Sequence, residues 1–251
     1  MSDTADAWTK FYGENSNIAY PAEGVIRILK GTYPYQKMPP PKPGQSILEI
    51  GCGDGRHFSL FQQLGLKAHG TEITDEICSE VWRRLTALGI TPAGILKGIC
   101  SDLPFTSGSF DYLLAWNSCN YMSLGTGRFE DHVIEMHRAL KPDGWIIVSI
   151  PARDCFIFDD CTYIAPGYRL INSEHFGLRQ GELMYMAVSK TAIEEQFSPW
   201  FADFSHAMID IQWFGLRYAW HVFTARKCSS TELPRLAPPS SETTDAQAVS
   251  P

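Results

Sequence analysis

The string Ile47-Leu-Glu-Ile-Gly-Cys-Gly-Asp-Gly-Arg-His57 carries the strongest chemical signal in the chain. An apolar run enters glycines at 51, 53 and 55 and leaves into helical spacing, with Glu49 two residues before the first glycine. Glycine lets the backbone turn sharply and lets a ligand lie against bare main chain. A helix beginning there offers free N–H groups and the positive end of its dipole, so a carboxylate or a phosphate can sit in the loop. Two phosphate-binding patterns do not fit: G-x-G-x-x-G needs a glycine where Arg56 stands, and GxxxxGK[ST] is absent.

Proton-transfer candidates are the histidines. His57, His69, His132 and His137 fall in or beside core elements and read as structural. His175, His206 and His221 lie in the C-terminal part, where any one of them can act as a general base near neutral pH. His175, in an irregular segment, is the weak catalytic candidate. Asp159 and Asp160 read as a solvated loop. The seven cysteines have irregular spacing and no CxxC, which predicts neither a disulfide framework nor a metal site.

The elements that must position these residues alternate. The segments Ser46 to Ile50, Lys67 to Glu72, Gly94 to Cys100, Phe110 to Trp116 and Trp145 to Ile150, the first and last of them apolar runs, predict five strands. Helical spacing falls between them at Gly55 to Leu64, Thr74 to Leu88 and Gly127 to Leu140, the last closed by a Pro142–Gly144 turn. Continuous apolar strands separated by amphipathic helices imply a parallel sheet covered on both faces. Before this unit, residues 1 to 7 read as frayed, Pro21 opens a helix that Gly31 ends, and five prolines between Tyr33 and Gly44 make a stiff connector. After it, Arg153 to Ser189 is aromatic and irregular, Thr191 to Phe201 reads as a helix, and two strands flank a turn at Phe214–Gly215.

The chain has 251 residues with 21 Lys and Arg against 28 Asp and Glu, a net charge of −7. Its 44% apolar content suits one large α/β domain and excludes a chain disordered throughout. The acidic balance argues against a nucleic-acid partner, whose binding rests on Lys and Arg. No apolar run approaches the roughly 20 residues of a membrane span, and the polar start lacks a secretory segment, so the expected compartment is the cytoplasm.

With Glu49 included the loop reads E-x-G-x-G-x-G, and here the chain resembles the class I S-adenosylmethionine-dependent methyltransferases. Three further matches follow in order: His69-Gly-Thr-Glu72, then Ser101-Asp-Leu-Pro-Phe105 with Gly108-Ser-Phe-Asp111, then Leu140-Lys-Pro-Asp-Gly144. The resemblance covers about Trp8 to Pro151. It implies that S-adenosylmethionine is held by Tyr20, Glu49, Gly51, Cys52, Gly53, Glu72, Ile73, Cys100, Ser101, Asp102, Trp116 and Asn117. A carboxylate at Glu72 accepts hydrogen bonds from both ribose hydroxyls. Ile99 stands where relatives carry Asp, so Ser101 or Asp102 takes the adenine contact, with a plain turn role for Asp102 as the alternative. Arg56 either pairs with an acid or meets the cofactor's carboxylate. Trp116 and Asn117 face the methyl-donor end, and Tyr12 and Tyr20 resemble N-terminal aromatics that close over the cofactor.

The implied fold is α/β, a Rossmann-like seven-stranded, mostly parallel sheet of order 3-2-1-4-5-7-6 with the last strand antiparallel and helices on both faces. Residues 1–45 form a lid and connector, 46–228 the methyltransferase domain with an insertion at 152–190, and 229–251 a disordered tail. The implied activity is methyl transfer to an O or N atom of a small-molecule acceptor. The alternatives are a non-catalytic S-adenosylmethionine-binding partner subunit and a nicotinamide-dependent oxidoreductase. The sequence sets no oligomeric state.

Overall fold

The structure, a computed structural model, describes residues 3–14, 20–125 and 127–229. Beyond Ser229 the expected tail lies outside the described residues. Helices α1 (Asp3–Glu14) and α2 (Glu23–Lys30) precede a core of β1 (Ser46–Ile50), α3 (Phe58–Gln63), β2 (Lys67–Glu72), α4 (Asp75–Ala87), β3 (Gly94–Lys97), β4 (Phe110–Ala115), α5 (Phe129–Ala139) and β5 (Leu140–Pro151). Then follow a 3-10 turn (Phe156–Phe158), β6 (Asp160–Ala165), β7 (Tyr168–Ser173), β8 (Leu183–Tyr185), α6 (Lys190–Phe197), β9 (Phe201–Trp213) and β10 (Leu216–Lys227).

The large sheet runs β3-β2-β1-β4-β5-β10-β9. Strands β1 to β5 are parallel, and β10 is antiparallel to both β5 and β9. Counting β9 and β10 as the sixth and seventh strands, this is the expected order. Side chains alternate between its two faces, as the pleat requires. Ile47, Tyr112, Leu114 and Ile147 meet α2, α3 and α4 on one face. Leu48, Leu113, Ile146 and Val148 meet α5 and α6 on the other. Among the described residues no helix is long and apolar enough to cross a membrane.

Helix α4 shows how local sequence starts an element. Thr74 Oγ1 accepts the Ile77 N–H at 3.2 Å, and Asp75 and Glu76 occupy the first turn. Acidic groups there meet the positive dipole end. Thr74→Ala is expected to cost about 1 kcal/mol, read as a lower urea midpoint, because one orphan N–H loses its acceptor.

Several local expectations are corrected by tertiary contacts. The N-terminus is helical from Asp3 rather than frayed, because Arg84, buried on α4, donates to the Tyr12 carbonyl and Thr9 Oγ1 meets Thr74 Oγ1 at 3.2 Å. Helix α2 starts two residues after Pro21, with Ala22 as its N-cap. Strand β3 ends at Lys97 rather than Cys100, since Gly98 N–H turns back to the Glu72 carbonyl at 2.9 Å and residues 99 to 102 close a tight turn. The irregular insertion is a second sheet, β6-β7-β8, antiparallel throughout. Its strands are short and mostly partly exposed, so they carry no alternation to read. One anchor is Tyr185, stacked on Phe129 of α5 at 4.0 Å between ring centroids.

Candidate functional site

The strand order reverses between β1 and β4, and ligands in open α/β sheets bind in the crevice at such a switch point. A cleft open to solvent lies there at the carboxyl ends of the strands. Ile50 and Gly51 line it from β1, Glu72 and Ile73 from β2, Gly98 to Cys100 from the turn after β3, and Asn117 and Ser118 from the end of β4. Trp8 and Tyr12 of α1 cover it, and Tyr121, Leu124, His132 and Glu182 complete the wall.

Glu72 organises the loop. Its Oε1 accepts the Gly53 N–H at 2.6 Å and its Oε2 accepts the Ile73 N–H at 3.1 Å. Each carboxylate oxygen keeps a further lone pair for a donor. Burial pushes this carboxyl up to about 7, against the pull of the two N–H groups. Between its ordinary 4.5 and about 7 the native state retains a proton that the unfolded chain has released, so Glu72 makes stability fall as pH rises through that window. A ligand diol favours the ionised carboxylate instead. Affinity for a ribose-bearing ligand is therefore expected to rise about tenfold from pH 6 to pH 8, and to lose most of that slope in Glu72→Gln, measured by calorimetry.

Glycine is required at two positions of the loop. Gly51 has φ +62°, and a Cβ there would lie 2.7 Å from Ser118 Cβ. Gly53 has φ +60°, and its Cβ would meet the Tyr12 hydroxyl at 2.7 Å. Behind the loop, His57 Nδ1 meets Glu49 Oε1 at 2.5 Å while its Nε2 accepts the Ala22 N–H at 3.2 Å. The imidazole thus donates from Nδ1 and ties the start of α2 to the loop. Arg56 pairs with Asp54 at 3.0 Å.

Of the twelve expected cofactor residues, Gly51, Glu72, Ile73, Cys100 and Asn117 line the cleft. Glu49, Cys52 and Gly53 stand behind them in the loop. Tyr20 is 93% exposed and away from the cleft; Tyr12, one helix earlier, covers it instead. Trp116 points to the opposite side, since it follows Tyr112 and Leu114 in the pleat, and packs where a Cβ on Gly24 would come within 2.4 Å of its ring. Asn117, at φ +58°, then turns the chain back, held by Ser149 through two bonds of 2.7 Å. Asp102 closes the tight turn with Ile99, and neither it nor Ser101 reaches the cleft. His175 is exposed against Phe176, also outside the cleft.

Sequence reasoning missed Trp8, Tyr121, His132 and Glu182. His132 had been read as structural, yet it lines the cleft while Nδ1 donates to the Cys119 carbonyl at 2.9 Å. Burial holds its imidazole below the ordinary range, hence neutral near pH 7. Glu182 carries no sequence signal, because the three-residue strand β8 that follows it is not legible.

A doubly wound sheet, a glycine loop at its switch point and an acid at the end of β2 form the arrangement that the resemblance to class I S-adenosylmethionine-dependent methyltransferases implies. Residues 48–148 match the family described as "Methyltransferase domain". An uncharacterized methyltransferase from Synechocystis is 26% identical over 102 residues, 41% of this chain and 45% of that protein. The chain spans less than two thirds of the length of the curated relatives it matches. A methyltransferase structure from Methanosarcina mazei aligns with TM-score 0.56 at 17% identity, covering 78% of this chain and 98% of that one. Phosphoethanolamine N-methyltransferase 2 of Haemonchus contortus, solved with S-adenosyl-L-methionine, aligns with TM-score 0.57 at 15% identity, covering 90% and 57%.

Proposed function

We propose that the protein transfers the methyl group of S-adenosylmethionine to an O or N atom of a small organic acceptor by in-line displacement. The observation that carries this reading is the Glu72 carboxylate, buried in the cleft wall with an open lone pair on each oxygen beside the glycine loop. The donor set fits the cofactor. Glu72 would take the ribose hydroxyls, the Gly98 to Cys100 turn would border the adenine, and Gly51 with Asn117 and Ser118 would flank the amino-acid end. When bound, the cofactor supplies an electrophilic methyl group on a sulfonium, so the protein's work is alignment and exclusion of water.

The residues of the chain are arranged for that work. Trp8 and Tyr12 cover the cleft and keep bulk water from the reacting atoms. Tyr12 is a positioning group rather than an acid: burial and the nearby Glu72 push its phenol well above its ordinary range. The mostly apolar wall with few polar anchors suits a small organic acceptor. The nitrogen-methylating Haemonchus enzyme supports N acceptors within this architecture. The test is S-adenosylhomocysteine release across a panel of small O and N nucleophiles, preceded by calorimetry with S-adenosylmethionine. Binding without release from any acceptor would favour a non-catalytic partner subunit; no binding at high protein concentration would sink the reading.

A further inference from the structure

Glu182 is the one carboxylate of the cleft wall that the cofactor reading leaves unused. Its side chain is fully buried. Oε1 accepts the Ser123 N–H at 3.0 Å, while Oε2 is buried and has no hydrogen-bond partner. Among the described residues no cation pairs with it. A buried carboxylate without a counter-charge is costly, and such groups are paired, neutralised or waiting for a ligand.

Its neighbours do not supply the missing partner. Arg179, three residues earlier, donates from Nε to the Tyr121 hydroxyl at 2.9 Å, covers the Trp8 ring at 5.4 Å and lies 3.6 Å from Glu174; its Nη1 is also buried without a hydrogen-bond partner, and it makes no ion pair with Glu182. Two further polar groups facing the same cleft, His132 and Ser118, present acceptors. His132 donates from Nδ1 to a carbonyl, so its Nε2 offers a lone pair. Ser118 spends its proton on the Ile50 carbonyl at 2.6 Å. A mostly apolar wall holding an unpartnered carboxylate, the lone pairs of His132 and Ser118 and the aromatic rings of Trp8 and Tyr121 is complementary to a cation with an apolar body.

We propose that Glu182 is the specificity-determining residue for the acceptor, and that the acceptor is an amine that binds as its ammonium against Glu182 Oε2 and passes one proton to that oxygen before its nitrogen lone pair takes the methyl group. This rests on the methyltransferase reading above and narrows its acceptor. The two fail separately, because cofactor binding is measured first.

The experiment uses the full chain saturated with S-adenosylhomocysteine and titrated calorimetrically with 2-phenylethylamine and benzylamine. 2-Phenylethanol and 3-phenylpropionate serve as size-matched neutral and anionic controls. The amines are expected to bind at least about tenfold more tightly than either control, since a hydrogen-bonded charge pair away from water is worth that much. Glu182→Gln keeps the acceptor for Ser123 N–H and is expected to abolish the advantage of the amines without changing affinity for S-adenosylhomocysteine. The comparison of ligands on the wild-type chain needs no variant, so a folding defect in Glu182→Gln does not remove the test. Equal binding of alcohol or acid, no binding of either amine, or an undiminished amine preference in the variant overturns the proposal. A loss of S-adenosylhomocysteine affinity in Glu182→Gln also overturns it, by assigning the residue to the cofactor half of the cleft. Absence of S-adenosylhomocysteine binding in the wild-type chain removes the methyltransferase reading itself, and this proposal with it.

Discussion

Glu72→Ala is expected to weaken S-adenosylmethionine binding by about 1–3 kcal/mol, roughly a five- to 150-fold loss of affinity. Two effects act together. The substitution removes the acceptor for the cofactor's ribose hydroxyls. It also strands the Gly53 and Ile73 N–H groups that the carboxylate holds at 2.6 and 3.1 Å, so the glycine loop loses the contact that fixes its shape. Glu72→Gln separates the two, because the amide oxygen retains one acceptor for the loop while the charge is lost. An intermediate affinity for Glu72→Gln, together with near-normal urea stability, is the result that assigns the effect to the ligand. Unchanged affinity in Glu72→Ala would refute the ribose assignment.

Gly51→Ala is expected to lower cofactor affinity more than tenfold and to destabilise the fold. A left-handed alanine costs about 1–2 kcal/mol before any contact is considered. Here the added Cβ also lies 2.7 Å from Ser118 Cβ, and Ser118 cannot step aside freely because its hydroxyl donates to the Ile50 carbonyl at 2.6 Å. The ends of β1 and β4 must therefore part where the cleft is narrowest. Gly89→Ala is the matched control: its φ is +70° with no neighbour within 4 Å of the added Cβ, so it reports backbone strain without a clash. Ser118→Gly in the Gly51→Ala background is expected to restore part of the lost stability. Equal losses in Gly51→Ala and Gly89→Ala, measured by urea unfolding, would show that the contact with Ser118 contributes nothing.

Reading the chain residue by residue shows where pattern suffices. Strands β1 and β4 are legible because a parallel strand buried on both faces is a short apolar run with turn residues at each end. Thr74 is legible as a cap because the hydroxyl, the acids and the apolar spacing lie within one turn. Glu49 and Glu72 are legible through their places relative to the glycines. Strands β6 to β8 are not, since Asp160–Ala165 is exposed at most positions and gains its order from pairing with β7. The place of Trp116 just beyond β4 is legible, whereas its side follows from the pleat, which sends its ring to the face of Tyr112 and Leu114.

The sequence by itself determined the alternation of strand and helix in the core and the glycine loop with Glu72 beside it, because each is encoded over a few adjacent residues; the strand order followed only from the family resemblance and is realised by tertiary pairing. Only the tertiary structure decided what closes the cleft. Trp8 and Tyr121 meet at 6.1 Å between centroids, and the Ser123 N–H reaches Glu182 across 59 residues of chain. Such contacts arise when remote segments pair to bury apolar surface and satisfy backbone polar groups, and local periodicity holds no record of which distant partner each segment meets.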